Sequence, residues 1–344
     1  MTPLDDWLAQ LTEVALAPDL PICDPHHHLW DQRETFVYRY LLDDFLTDIG
    51  GGHNIVSTVF MECEAFYRAV DPSGGDPYMA PVGETEFVNG MAAMSASGRY
   101  GKTQVAAAIV GFADLRLGER VKDVLGAHVQ AGGGRFRGIR HSTAHDEDGG
   151  IIGAEHTSPQ GRLFYDETFR QGFAQLAPLG LSFDAWFYHP QIPELTDLAQ
   201  AFPETPIVMD HVGAPLGIGP YAGRRDEIFA GWSRDITALA QCPNVHVKLG
   251  GLAMKLTGFG HHKLDVPPSS EVLAEAWKPY LLHCIEAFGP ERCMFESNFP
   301  VDKASCAYTT LWNAFKRLAA GFSASEKAAL FHDTAARVYR IQET

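Results

Sequence analysis

Short apolar runs alternate with amphipathic stretches along most of the chain. The apolar runs have the length and the β-branched and aromatic content of buried strands, and they lie at 20–23, 55–63, 105–110, 136–140, 181–187, 206–210, 245–249 and 293–296. Helical spacing of apolar positions predicts helices at 4–17, 84–97, 118–130, 166–178, 191–201, 224–241, 270–288, 304–319 and 325–340. Strands that alternate with helices in this way form parallel βαβ units.

Eight such units in one series predict an α/β fold, the (β/α)8 TIM barrel, which 344 residues are long enough to build. The alternative is an open doubly wound sheet. We disfavour it because the first strand is followed by His26-His27-His28 rather than by a glycine-rich phosphate loop. No linker or composition shift divides the chain. We therefore expect one domain over 1–344, with a leading helix in 1–19 and C-terminal helices in 322–344 packed on the barrel.

Charge and composition restrict the classes of partner. A formal net charge of −16 argues against nucleic acid and against anionic membrane surfaces. No run approaches the roughly 18 consecutive apolar residues of a membrane span, and the acidic N-terminus lacks the form of a signal peptide. The six cysteines are scattered, which favours free thiols in a reducing compartment. We expect a cytoplasmic protein with a small-molecule substrate; the exposed helices of an acidic barrel are also compatible with a homo-oligomer.

The first strand ends in the segment Asp24-Pro25-His26-His27-His28-Leu29-Trp30-Asp31. Side chains alternate along a strand, which places Asp24, His26 and His28 on one face and His27 on the other. Two imidazoles on one face can converge on a single ion or substrate atom. A polar loop tip or a satisfied pair of core histidines is the alternative interpretation.

Polar residues also follow most of the other strands. Because a barrel of this kind carries its active site at the C-terminal ends of its strands, these residues are the candidate site. His189-Pro190 could instead open a helix, and Asp210-His211 could form a capping turn. The candidates at the strand ends are His26, His28, Glu62, Glu64, Arg140, His141, His189, His211, Lys248, Glu296, Ser297 and Asn298.

Arg140 shares a strand face with Gly138, so its guanidinium is expected to point into the barrel mouth. Burying it there without an anionic partner would be costly. It is therefore predicted to hold a substrate carboxylate, with Lys248 in the same role and with Glu62 and His141 lining the same substrate-binding region. An internal ion pair between Arg140 and Glu62 or Glu64 is the alternative.

These motifs resemble those of the amidohydrolase superfamily, in particular its "amidohydrolase 2" branch, over nearly the whole chain. The branch contains lactonases that act on sugar-acid lactones and on 2-pyrone-4,6-dicarboxylate, and decarboxylases related to aminocarboxymuconate-semialdehyde decarboxylase. The lactonase side fits better. The matching segments are Asp24–Trp30, Gly138–Arg140, His189-Pro190, Asp210–Gly213, Val247–Gly251 and Glu296–Val301.

The resemblance implies roles for individual residues. His26, His28 and His189 would bind one divalent metal, zinc or manganese, if a metal is present, and His211 would be the sixth-strand histidine. Where the family carries an aspartate that binds metal and activates water, this chain has Asn298. An amide cannot accept a proton at working pH, so Glu296, Asp302 or a histidine is expected to serve as the base.

The expected activity is hydrolysis of a lactone or ester in a small carboxylate-bearing metabolite, by water attack at the barrel mouth. A lyase or isomerase of the same superfamily, such as a non-oxidative decarboxylase or a lactone isomerase, is the alternative. A barrel that only binds a ligand is a third interpretation.

Overall fold

The structure is a computed structural model that describes residues 2–31, 38–70, 76–148, 151 and 161–342. Eight parallel strands pair in sequence order, each with the next along the chain. A further parallel bridge joins His27 to Phe299 and brings the first strand beside the end of the last, so the barrel is nearly closed. The predicted (β/α)8 fold is confirmed. The strands are β1 Pro21–His27, β2 Asn54–Met61, β3 Gln104–Gly111, β4 Phe136–Arg140, β5 Ser182–Ala185, β6 Ile207–Met209, β7 Val245–Leu249 and β8 Cys293–Phe295.

Helices lie between and after the strands, mostly where the apolar spacing predicts them. Their inner faces pack on the outside of the barrel in one continuous apolar core. No helix among the described residues combines the length and the apolar content that crossing a membrane requires. The α-helices are α1 Pro3–Leu8, α2 Leu42–Ile49, α3 Val82–Ala96, α4 Val121–Ala131, α5 Glu167–Phe173, α6 Ile192–Ala201, α7 Arg225–Leu239, α8 Ser270–Phe288, α9 Tyr308–Leu318, α10 Ala324–Ala328 and α11 Thr334–Val338.

The leading helix is shorter than predicted. The sequence pattern predicts a helix over 4–17, but α1 ends at Leu8 and the next residues run without regular structure. Leu8 on its predicted apolar face is buried, but the end of that face is not, since Val14 is 88% exposed. The segment is held instead by polar contacts with α9: Leu16 N donates to Asn313 Oδ1, and Lys316 Nζ donates to the carbonyl of Leu16.

A shift of register in β1 changes the face of one residue. The pairing of β1 with β2 slips between Asp24 and His27, which is the effect of a β-bulge. Asp24 therefore does not share a face with His26, contrary to the expectation from simple alternation. Its carboxylate accepts from Ser297 N at 3.0 Å and from the hydroxyl of Tyr308, on α9, at 2.9 Å.

The C-terminal segment closes the end of the barrel opposite the candidate site. After α10 the chain forms a π-helical turn over Ala329–Asp333 and then α11. From this segment Ala335 and Tyr339 enter the interior, where they pack against apolar side chains of the strands. The apolar layer of the barrel interior comprises Cys23, Val59, Met61, Ala108, Val110, Val208 and Met294.

Candidate functional site

His26 and His28 meet inside the barrel, as the sequence predicts for alternate residues. Their Nε2 atoms lie 3.2 Å apart, and both rings are buried. His28 Nδ1 lies 2.9 Å from the carbonyl oxygen of Met61. Burial, followed by the positive charge of Lys248, holds the pKa of His26 well below its usual value, so this imidazole is neutral.

Glu296 lies between two histidines from different strands. Its Oε1 accepts from His211 Nδ1 at 2.6 Å and from His211 N at 3.1 Å. Its Oε2 lies 2.8 Å from His26 Nδ1, but the two atoms are not aligned for a hydrogen bond. Among the described residues, Glu296 Oε2 therefore has no hydrogen-bond partner. His211 Nε2 likewise has no protein partner within the described ranges, and the ring retains 3% exposure. A carboxylate that fixes one ring nitrogen leaves the other available as a base.

Two adjacent glycines make room for this pair. A Cβ on Gly250 would lie 2.4 Å from Glu296 Cγ, and one on Gly251 would lie 2.4 Å from His211 Cγ. Gly251 also has φ +68°, a backbone conformation that favours glycine. The glycine pair after β7 therefore fits the side chains of Glu296 and His211.

A buried ion network lies directly beneath the histidines. Lys248 Nζ is 2.8 Å from Asp184 Oδ1 and 2.9 Å from Asp210 Oδ1, and it lies 3.3 Å from His26 Nδ1. Burial opposes the charge of Lys248, but the two carboxylates raise its pKa, so it is a permanent ammonium. The hydroxyl of Tyr339 donates to Asp184 from the opposite side.

Arg140 is paired inside the protein. Its Nε donates to Glu62 Oε1 at 2.7 Å and one Nη donates to the Glu62 carbonyl at 2.6 Å, while the other lies 3.4 Å from Asp210 Oδ2. This is the internal ion pair that the sequence left open as an alternative. The roles of Arg140, Lys248, Glu62 and His141 in binding a substrate carboxylate stay a prediction.

The side chains of Asn298 and Asp302 bind each other rather than the imidazole rings, although Asn298 N donates to the carbonyl of His26 at 2.9 Å. Asn298 Nδ2 donates to Asp302 Oδ1 at 2.9 Å. Burial raises the pKa of Asp302 well above its usual value, with the charge of Glu296 adding to the effect. Burial thus favours the protonated form of Asp302, and its side chain contacts no imidazole among the described residues, which favours Glu296 with His211 over Asp302 as the base.

The structure does not bring His189 or His141 to the other histidines. His189 Nδ1 accepts from Leu216 N at 3.2 Å, and His141 Nδ1 accepts from Leu115 N at 3.2 Å. Burial lowers the pKa of each to about 4. Among the described residues, the cluster whose ligand atoms lie within 4.8 Å of one another is His26, His211 and Glu296, and the predicted metal set of His26, His28 and His189 shares only His26 with it.

The cluster fits a divalent cation. Two imidazoles and one carboxylate form a known ligand set of catalytic zinc sites. The unpartnered Oε2 of Glu296 is a buried carboxylate oxygen that a cation would satisfy. The charge of the site also favours a bound cation. Within the described site four buried carboxylates face two permanent cations, Arg140 and Lys248; the carboxylates are those of Glu62, Asp184, Asp210 and Glu296.

Sequence reasoning missed Asp184 and Asp210 as members of the site. Asp184 lies inside an apolar strand run, where a single acid is itself a signal because an unpaired buried charge is unfavourable. Asp210 precedes His211, and the sequence pattern indicated only that it could form part of a capping turn. Tyr339 carried no signal, because its position depends on how the C-terminal segment enters the barrel.

Comparisons with known proteins agree with this geometry. The family model described as "Amidohydrolase" matches residues 23–341. The uncharacterized protein y4mH of Sinorhizobium fredii is 36% identical over 331 residues, which cover 94% of this chain and 99% of that protein. An L-fucono-1,5-lactonase of Burkholderia multivorans is 30% identical over 243 residues, 69% of this chain and 72% of that protein.

A solved structure with the same fold comes from Burkholderia multivorans. It is an amidohydrolase with bound HEPES, with a TM-score of 0.68 and 23% identity, and the match covers 93% of this chain and 99% of that one. A second crystal form of an amidohydrolase from this organism, with bound zinc, matches with the same values.

Proposed function

Because the chain belongs to the amidohydrolase family, whose members are hydrolases and lyases, we propose that it is a lactonase. The substrate class is a lactone of a small hydroxy acid, of the sugar-acid type that the L-fucono-1,5-lactonase relative's name indicates. The observation that carries the proposal is the Glu296–His211 pair, which supplies a base where Asn298 cannot.

In this proposal His211 is the general base. Glu296 binds its Nδ1 hydrogen and leaves Nε2 to take a proton from water, whose oxygen bonds to the lactone carbonyl carbon. The ring C–O bond then breaks, and the same proton passes from Nε2 to the leaving alkoxide. The product is the open hydroxy acid, and the base is restored.

Other residues shape the site around this pair. Arg140 and Lys248 hold Glu62, Asp184 and Asp210 in place, so the interior stays ordered with its charges paired. A divalent metal, when bound, would be held by His26, His211 and Glu296; it would then activate water itself as a Lewis acid, because a His211 that binds the metal could not also take the proton.

The test is hydrolysis of a lactone panel by the wild type and by Glu296→Gln. The panel contains L-fucono-1,5-lactone, other sugar-acid lactones and carboxylated lactones, and it is run in water labelled with oxygen-18. We expect labelled product from the wild type and a fall in kcat of about 100-fold or more in the variant, because the base loses its orienting carboxylate. Elemental analysis of both untagged proteins reports whether bound metal depends on Glu296.

The matched control is Glu13→Gln. Glu13 accepts from Ser270 N at 2.7 Å and from Asn313 Nδ2 at 2.8 Å, far from the histidines in the fold, and its variant should retain wild-type kcat. Turnover of a carboxylic acid with release of carbon dioxide, and no label in the product, would instead assign the protein to the lyases. That second candidate is favoured by Asn298, which stands where a water-activating aspartate would be.

A further inference from the structure

A cleft lies at the N-terminal end of the barrel, whereas the candidate site lies at the other end of the strands. It encloses about 610 Å³, a volume typical of cavities that bind small molecules. Its walls are the end of α3 with the loop that follows, the starts of β3 and β4, and Ile341 and Gln342 of the C-terminal segment. None of these residues takes part in the histidine cluster.

The charged side chains that line this cleft are all cationic. They are Lys102, Arg135 and Arg137, and no aspartate or glutamate lines it. Because the chain has 43 Asp and Glu against 27 Lys and Arg, a cleft with cations alone departs from the overall balance of charge. Asp333 lines an adjoining cavity that also reaches Lys102, but its carboxylate is paired with His332 Nδ1 at 2.9 Å.

Arg137 is half-buried, and its charge is not compensated. Among the described residues its guanidinium donates to carbonyl oxygens: Nε to Tyr339 at 2.7 Å and one Nη to Gly134 at 2.6 Å. These bonds satisfy its hydrogen atoms but do not neutralise its charge. Burial, and then the positive charges of Arg340 and Arg135, lower the pKa of Arg137. A bound anion would remove the cost of placing a half-buried cation beside two others.

The neighbouring cations also lack an ionic partner. Within the part of the chain that the structure describes, Lys102, Arg135 and Arg340 form no ion pair with a carboxylate. Arg135 donates through one Nη to Asn89 Oδ1 at 2.7 Å, which is a neutral acceptor. The positive charge of the cleft is therefore available to a ligand.

The hydroxyl groups of the cleft are already used inside the protein. Ser95 Oγ donates to the carbonyl of Thr103 at 2.8 Å, and Thr103 Oγ1 donates to the carbonyl of Ile55 at 2.6 Å. A ligand of this cleft is thus expected to be recognised by its charge rather than by hydrogen bonds to these hydroxyls.

We propose that this cleft is a second ligand site, which binds a small organic polyanion through Lys102, Arg135 and Arg137. Guanidinium and ammonium groups bind carboxylate and phosphate groups. Three cations favour a ligand with two or more negative charges, because a single charge would compensate their mutual repulsion only in part. Polycarboxylates and phosphate esters share this chemistry. The proposal does not depend on the reaction at the other end of the barrel.

The test is isothermal titration calorimetry on the full chain with tricarballylate and fructose 1,6-bisphosphate, and with uncharged fructose as the reference. We expect at least one of the two anions to bind with a Kd of about 100 μM or lower at low ionic strength, and fructose not to bind. Salt screens exposed charges, so binding should be about tenfold weaker at an ionic strength of about 0.2 M. The anion that binds more tightly identifies the carboxylate or the phosphate as the preferred group.

Two variants each remove one cation from the cleft, Lys102→Gln and Arg135→Gln. Each is expected to weaken binding by about tenfold or more, because a charged contact with the anion is lost. Arg135→Lys keeps the charge and should bind within about threefold of wild type. The matched control is Lys278→Gln, which removes the same charge from an exposed lysine of α8 outside the cleft and should bind as the wild type does.

Lack of binding of both anions to the wild type would overturn the inference. Wild-type affinity in Lys102→Gln would also overturn it, since the anion would then bind elsewhere. Equal losses in Lys102→Gln and Lys278→Gln would overturn it as well, because they would show a response to net charge alone. Should Arg135→Gln not fold, Lys102→Gln decides the inference, because its side chain is exposed and makes no hydrogen bond with other described residues that its loss would break.

Discussion

At the scale of single residues, the site depends on where small residues leave space. Glu296 is buried with no exposed surface, and its side chain passes against the backbone of Gly250. Because Glu296 orients His211 through a 2.6 Å contact, any displacement of the carboxylate is transmitted to the ring that we propose as the base. Gly250 does not have the positive φ that favours glycine, so glycine is required at this position only because the Glu296 side chain packs against it.

We therefore expect Gly250→Ala to lower kcat by about 100-fold, since the added Cβ would lie 2.4 Å from Glu296 Cγ and displace that side chain. Steady-state kinetics measure the fall in kcat, and thermal unfolding followed by circular dichroism measures any loss of stability. Gly231→Ala is the control, because nothing lies within 4 Å of a Cβ there, and it should keep wild-type activity. Wild-type kcat in Gly250→Ala would contradict the packing argument.

At the scale of elements, the first 20 residues show how polar contacts replace a helix. The amphipathic pattern favours helix over 4–17, yet the chain leaves the helix after Leu8 because Asn313 and Lys316 of α9 bind its backbone directly. Lys316 donates to two successive carbonyls, those of Leu16 and Ala17, at 2.8 and 2.9 Å.

Lys316→Met should release this segment while leaving the barrel intact. Loss of two charged hydrogen bonds favours local opening, so we expect limited proteolysis within 9–20 to be about tenfold faster or more, with kcat unchanged. Lys327→Met is the control, since its ammonium donates to the carbonyl of Ala320. Equal cleavage rates in the two variants would show that other contacts hold the segment.

At the scale of the whole molecule, burial of histidines governs the response to acid. Burial lowers the pKa of several of these side chains far below the roughly 6.5 of an unfolded chain. Buried acids act in the opposite sense, because burial raises the pKa of Asp24 to about 6 and of Glu84 to about 8, and it also raises the pKa of Asp48, Asp184 and Asp302 above their usual values. The histidines are His27, with a pKa of about 3, and His53, His128, His141, His189 and His246, each with a pKa of about 4.

The sign of the pH dependence follows from which state binds more protons. Below about pH 6.5 the unfolded chain protonates these histidines and the folded protein does not, so their contribution to stability is complete above pH 6.5 and is lost towards pH 4. The buried acids with raised pKa values add stability over the same pH range, but they are fewer than the histidines. We expect the free energy of unfolding in urea to fall by about 2 kcal/mol or more between pH 7 and pH 5, with net proton uptake on unfolding. Equal or greater stability at pH 5 would contradict this balance.

The alternation of apolar strands and amphipathic helices was sufficient to predict the barrel, because burial of each strand and of one face of each helix is a local requirement visible in the sequence. The rule that the site lies at the strand ends then placed His26, His28, His211 and Glu296 in it. The predicted end of the leading helix was wrong because side chains of α9 bind the following backbone. The predicted face of Asp24 was wrong because a β-bulge shifts the register of β1.

The sequence by itself thus determined the fold and named His26, His28, His211 and Glu296 as candidate site residues, but it did not indicate Asp184 or Asp210. Only the tertiary structure decided their partners: Arg140 with Glu62, Lys248 with Asp184, and Glu296 with His211. The physical reason is the separation along the chain of the residues that interact. Strand and helix patterns arise from neighbours a few residues apart, whereas these pairs join residues 78, 64 and 85 positions apart, whose distances depend on the closure of the whole barrel.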